Sequence, residues 1–234
     1  MTDKYQSLFS LKNHHLNAVV QKACANGDLE KVKFVCENDV LLKKIDFDFD
    51  EETGLFGACR NGHLHVVKYL LTNPSLKKLV SIHTNNDFAL ILAAKYNQLE
   101  IVKYLSASPE LKEHCDISVS NHLPFIYACS NGNIEVMKYL ASSPDLAIHT
   151  DIHAKKDAPF IAAFSRQRLD VIHCLIFDLN IEKTPIIKNV LKNSSKDFND
   201  LTNEINKMFE QRELNTELNS ELILQNPKKK KNKL

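Results

Sequence analysis

An all-α solenoid of about five stacked helix pairs, closed at its C-terminal end by further helices, is the fold class this sequence predicts. Three observations carry that prediction. Apolar anchors at Leu29, Leu64, Leu99, Ile134 and Leu169 are each 35 residues apart. Small residues recur ahead of them, as Ala23-Cys24, Ala58-Cys59, Ala93-Ala94, Ala128-Cys129 and Ala163 beside the bulkier Phe164. Pro74, Pro109 and Pro144 keep the same 35-residue spacing. A fixed period of this length marks supersecondary units that cannot bury an apolar face singly and gain a continuous core by stacking.

Within each unit the first helix carries the small pair, which lets helices of neighbouring units approach closely. A tight turn follows. Gly27, Gly62 and Gly132 share one register position there, where a residue without Cβ takes positive φ freely. The third and fifth units place Asn97 and Gln167 at that position; asparagine tolerates left-handed geometry fairly well, glutamine less so. The second helix shows one apolar stripe at helical spacing, for example Leu64, Val67, Leu70 and Leu71. It ends at the prolines, which cannot continue a helix interior. Leu76, Leu111 and Leu146 then fold back over the helix end. Beyond them a polar, turn-rich stretch such as Ile82-His83-Thr84-Asn85-Asn86-Asp87 predicts a projecting β-turn or hairpin finger. Ile82, Ile117 and Ile152 anchor its base, in phase with Phe47. The predicted array is curved and right-handed, with fingers and first helices lining one concave side.

Residues 61–70, 97–105 and 131–140 follow an Asn-Gly-x-Leu-Glu-x-Val-Lys-x-Leu pattern, and on these segments the chain resembles the ankyrin-repeat family. The resemblance covers roughly residues 12 to 180. It departs from the family in two ways. The Thr-Pro-Leu-His tetrapeptide is poorly kept: Thr53 has Gly54 beside it, Pro124 and Pro159 lack a preceding threonine, and the histidine position holds Phe56, Ile91, Ile126 and Ile161. Loss of that histidine predicts fingers tied more by apolar packing than by hydrogen bonds. The period also exceeds the family's roughly 33 residues. The divergence is similar to arrays of intracellular bacteria, amoebae and their viruses. The resemblance implies a non-catalytic protein–protein interaction adaptor without cofactors, with a host-directed effector role and secretion into a host cell as its extension.

In the ankyrin frame, the residues flanking the small pair point toward the groove. Those positions hold Arg60, Leu92, Lys95, Tyr127 and Ser130, with finger residues Asn86, Asn121 and Lys156 beside them. These eight are the candidate partner-binding residues, since tyrosine and arginine combine contact area with polar handles.

The domain reading is an N-terminal extension over 1–11, repeats over 12–182, C-terminal helices over 183–223 and a basic flexible tail over 224–234. Thr184-Pro185 reads as a helix start. Ile186, Ile187, Val190 and Leu191 supply one apolar side; Phe198, Leu201, Ile205, Met208 and Phe209 supply a second, which Leu214, Leu218 and Leu222 extend. These helices either cover the raw face of the last repeat or bind a partner themselves, as a structural or regulatory subunit would.

Composition excludes several functions. The 234-residue chain has a net charge of +1, so bulk electrostatics disfavour nucleic acid; the lysines of the tail are the one concentrated basic segment. Its six cysteines do not form the framework of a small secreted protein. Cys24, Cys59 and Cys129 share one repeat position and read as reduced, buried small hydrophobes. No apolar run reaches membrane-spanning length, and the N-terminus lacks a signal-peptide pattern, which leaves cytoplasmic residence or export by a route that reads no N-terminal signal; a monomeric or weakly associating chain is expected. His63 sits where the family places a turn-capping histidine. His83 and His153 fall in phase on fingers, and no repeat offers the compact ligand spacing of a metal site. No cysteine has a base and orienting partner, and five glycines form no phosphate cradle, so neither enzyme activity nor a catalytic residue is expected. The acidic run Asp46, Asp48, Asp50, Glu51 and Glu52 reads as a solvated finger.

Overall fold

The computed structural model describes residues 3–45 and 54–225. The acidic run at 46–52, Phe47, Thr53 and the lysines of the tail lie outside the described residues. Five helix pairs follow one another: α1 (Asn13–Ala25) with α2 (Leu29–Cys36), then, after a short α3 (Asp39–Leu42), α4 (Gly54–Asn61) with α5 (Leu64–Thr72). Next come α6 (Phe88–Lys95) with α7 (Leu99–Ala107), α8 (Val119–Asn131) with α9 (Ile134–Ser142), and α10 (Ala154–Ser165) with α11 (Leu169–Phe177). First helices pack in series, α1 on α4, α4 on α6, α6 on α8 and α8 on α10. A parallel row forms from the second helices α2, α5, α7 and α9.

The sequence periodicities explain these contacts. Ala23, Ala58, Ala93, Ala128 and Ala163 are all buried where first helices meet. At Gly57 the helices approach closely: an added Cβ would stand 3.0 Å from the Cβ of Ala25. The second helices end at Thr72, Ala107 and Ser142, and their C-caps Asn73, Ser108 and Ser143 are extended, with ψ of 123°, 129° and 132°. Proline at the following position accounts for this, because its ring disfavours α geometry in the residue before it. Leu76 and Leu146 are buried under the helix ends, while Leu111 is half-buried. The linkers return in register, with Cys115 N–H donating to Leu105 O and Thr150 N–H to Leu140 O, at 2.9 and 3.0 Å.

Both ends of the stack are covered. At the front, a 3-10 helix over Asp3–Ser10 buries Tyr5 and Leu8, with the Tyr5 ring 5.0 Å from that of Phe34. At the rear, α12 (Pro185–Lys192) packs on α10, and α13 (Asn199–Gln225) packs on α11. Thr184 caps α12 by accepting from Ile187 N–H at 3.1 Å, with proline at the first helical position. Ile187, Leu191, Ile205 and Phe209 join the same apolar core as the repeats. Phe160 lies 6.4 Å from Phe209 and Phe164 lies 5.2 Å from Phe198, so the last repeat's aromatic face is filled. Arg212 closes this contact by donating to Ile176 O and Ile181 O. Past Arg212 the side chains of α13 are exposed through residue 221, including Leu214 and Leu218.

No strand occurs among the described residues, so the fingers are not hairpins. They are turns of an uncommon kind, and they shape the candidate site.

Candidate functional site

Two sets of polar ties fix the face formed by first helices and fingers. The first set runs from the N-cap positions of α5, α7 and α9 to the preceding repeat. His63 Nε2 lies 2.9 Å from Ala25 O, Gln98 Nε2 donates to Arg60 O at 3.1 Å, and Asn133 Nδ2 donates to Ala94 O at 2.7 Å. His63 therefore does not cap its own helix; its side chain reaches back across the repeat boundary. The glycines are required by the same contacts. Gly27 and Gly62 have φ of 74° and 84°, and an added Cβ would collide with His63 and Gln98 respectively.

The second set builds the fingers. Three successive residues take left-handed geometry in each: Asn85-Asn86-Asp87, Ser120-Asn121-His122 and Lys155-Lys156-Asp157, with every φ between 50° and 61°. Such geometry costs roughly 1–2 kcal/mol per ordinary residue, so something must hold it. The third side chain does. Asp87 pairs with His83 Nδ1 at 2.6 Å and accepts from Asp116 N–H at 2.7 Å. His122 Nδ1 lies 2.9 Å from the Thr150 hydroxyl and 3.4 Å from Asp151 N. Asp157 pairs with His153 and accepts from the Thr184 hydroxyl. Asp87 and Asp157 are only 5% and 2% exposed, a burial that carboxylates tolerate only when paired.

This corrects the expectation that fingers without the family's histidine rest on apolar packing. Hydrogen bonding is retained and relocated, to the residue just before the Thr-Pro position. Sequence reasoning missed Asp87, His122 and Asp157. A signal was present, since His83 and Asp87 repeat as His153 and Asp157, each four apart and 70 residues on.

The anchored third residue leaves the second one at the tip. Asn86, Asn121 and Lys156 are accordingly exposed, and Asn86 Nδ2 donates to Ser120 Oγ of the next finger at 3.3 Å. Arg60, Lys95, Tyr127 and Ser130 are half-buried along the first-helix row. Arg60 lies over the Tyr96 ring at 5.7 Å, and Lys95 stands 5.5 Å from Tyr96 and 5.2 Å from Tyr127. The structure thus brings Arg60, Lys95 and Tyr127 together through Tyr96, a residue the sequence reading passed over. It separates Leu92 from them: Leu92 is 4% exposed and belongs to the core. The reason is the composition of α6, whose Ala89 through Ala94 are all buried between its neighbours, leaving no apolar residue to spare for the surface.

Cys24, Cys59 and Cys129 are buried and free, as are Cys36, Cys115 and Cys174. Burial pushes the Cys24 thiol up to about 12 and holds Cys59 and Cys129 well above the ordinary thiol range, so all three stay protonated near neutrality. Among the described residues no three histidine, cysteine or acidic side chains gather where a metal ion could sit. No described helix is long and apolar enough to cross a membrane.

Stacked helix pairs sharing one core and joined by turn-like fingers define a helical repeat solenoid. Residues 20–112 and 90–187 match the family profile described as Ankyrin repeats (3 copies). The chain belongs to the ankyrin-repeat family. No curated relative matches it. Ankyrin repeats are generally protein–protein interaction modules, and the family is typically non-enzymatic.

Proposed function

We propose that the protein is a non-catalytic adaptor that binds a protein partner on the face formed by its first helices and finger tips. The observation that supports this reading most strongly is the Arg60–Tyr96–Lys95–Tyr127 arrangement. Aromatic and cationic side chains of three adjacent repeats are held together on a scaffold whose backbone is tied repeat to repeat. Preorganised anchors of this kind lower the ordering cost of association. Host-directed action is an extension of the same reading and rests on the likeness to divergent arrays.

Native affinity purification tests it. A discrete protein partner is expected, with binding weakened by Arg60→Ala and by Tyr127→Ala. Recovery of a partner that ignores both substitutions would overturn this reading.

A second reading has its own observation. Leu214 and Leu218 are 56% and 49% exposed on the part of α13 that extends beyond the repeats. Binding through this helix would make the array a spacer for a structural or regulatory subunit. Removing residues 213–234 keeps the buried part of α13, so it separates the two. Partner retention supports the groove; partner loss, with the helical signal intact, supports the helix.

A further inference from the structure

We infer that the partner face is selective for an acidic, extended protein segment, an inference that rests on the groove reading above. The charge distribution carries it. No aspartate or glutamate occurs in α1, α4, α6 or α8. In α10 the one carboxylate is Asp157, which is buried and paired with His153. The same row of helices presents Lys22, Arg60, Lys95, Lys155 and Lys156. Among the described residues the first helices themselves therefore carry cations and no exposed carboxylate, while Asp116 and Asp151 are exposed on the finger segments beside them. Other carboxylates of the described helices lie elsewhere: Glu30, Glu100, Glu135 and Asp170 open second helices, and Glu210, Glu213 and Glu217 line α13.

The cations of the second helices make a useful contrast. Lys68 pairs with Glu110, Lys103 with Glu100 and Lys138 with Asp178, at 2.7, 2.7 and 2.9 Å. Arg60 and Lys95 pair with no carboxylate among the described residues and lean on tyrosine rings instead. Arg60 Nε is buried and has no acceptor among them. A cleft of about 280 Å³ opens between α1 and α4, walled by Ala18, Gln21, Lys22, Ala25, Phe56, Gly57 and Arg60. Its floor is small-residued because Gly57 and Ala25 touch, and two cations stand at its rim. That is a seat for a carboxylate side chain, with the Tyr96 and Tyr127 rings one and two repeats further on for apolar contact.

A peptide fits better than a nucleic acid. Acidic residues open the second helices next along the chain, so a polyanion that spreads beyond the cations would meet like charge. Discrete carboxylates on an extended chain remain beside the cations.

Selection from a random peptide library of about 12 residues on the full-length protein tests the inference, in buffer of low and high salt. Bound peptides are expected to be enriched in aspartate and glutamate, and their affinity to fall several-fold on raising salt. Arg60→Glu with Lys95→Glu should weaken them about tenfold or more, whereas Arg60→Lys should retain most binding. Circular dichroism verifies that each variant is folded, and the salt series needs no variant. Enrichment of neutral or basic peptides that still depend on Tyr127 would overturn the charge selectivity and leave the groove reading standing. Selection of nothing, or of peptides indifferent to Arg60, Lys95 and Tyr127, would overturn both. An oligonucleotide of equal charge that displaces the selected peptides at lower concentration would assign the row to nucleic acid instead.

Discussion

Cys59 illustrates how a single position is governed by its layer in the stack. It sits after Ala58 on α4 and has no exposed surface, while Ala94 fills the equivalent place one repeat on. A thiol there is volume, not chemistry. Cys59→Ala should cost about 1 kcal/mol through lost packing, read from the denaturant midpoint, and Cys59→Asp should be far worse because its carboxylate gains no partner. Thiol reagents should modify the buried cysteines of the native protein slowly, at the rate of opening; rapid labelling of Cys24, Cys59 and Cys129 would refute their burial. The pH dependence follows from the same cause. Folding raises the thiols of Cys24 and Cys36 from an ordinary value near 9 to about 12. The folded state therefore holds these protons more tightly than the unfolded state, so stability is intact below about pH 9 and declines as pH rises toward 12. Asp157 is the opposite kind of residue, buried for its hydrogen bonds. Asp157→Ala leaves the Thr184 hydroxyl and His153 without their acceptor and should cost about 1–3 kcal/mol, with Asp157→Asn milder. A denaturant midpoint unchanged from the parent would show that the finger is held by something else.

Among the elements, α13 combines two different helices in one. Its first half is apolar on the side that meets α11, through Ile205 and Phe209, and the side chains past Arg212 are exposed through residue 221. Phe209→Ala should cost about 3–5 kcal/mol, because the ring fills space against Phe160 and no other side chain can replace it. Leu218→Lys should stay within about 0.5 kcal/mol, since the side chain is half exposed and touches no core. Thermal unfolding of the two variants checks the division directly. Equal destabilisation would mean that the outer half of the helix also packs on the repeats.

For the whole molecule, stability is a chain of nearest-neighbour interfaces, and the ends matter because each exposes a raw face. Removing residues 184–234 would uncover Phe160, Phe164 and the buried side of α11. The truncated array is expected to unfold at lower denaturant and to self-associate in size-exclusion chromatography. Removing only residues 213–234 should do neither. A truncation at 184 with the stability and the elution behaviour of the parent would show that the rear helices are not a cap.

Repeat register, helix pairs and the turns between them are legible in the residues alone, because each depends on local spacing. Leucines 35 apart, small pairs, glycines and prolines act on their own segment, and they are legible without a partner. Most of the face is readable there too, since Arg60, Lys95, Tyr127 and the tips Asn86, Asn121 and Lys156 follow from register alone. Contacts between repeats emerge only in the folded stack. Leu92 is buried because α6 is enclosed by helices on either side, a fact about neighbours that its own sequence does not state. Tyr96 enters the site because Arg60 reaches it from the preceding repeat. The fingers are held by Asp87, His122 and Asp157, whose partners lie 27 to 29 residues along the chain at Asp116, Thr150, Asp151 and Thr184. Periodicity fixes where a side chain sits in its own repeat, whereas hydrogen bonds and burial depend on what the adjacent repeat places opposite it.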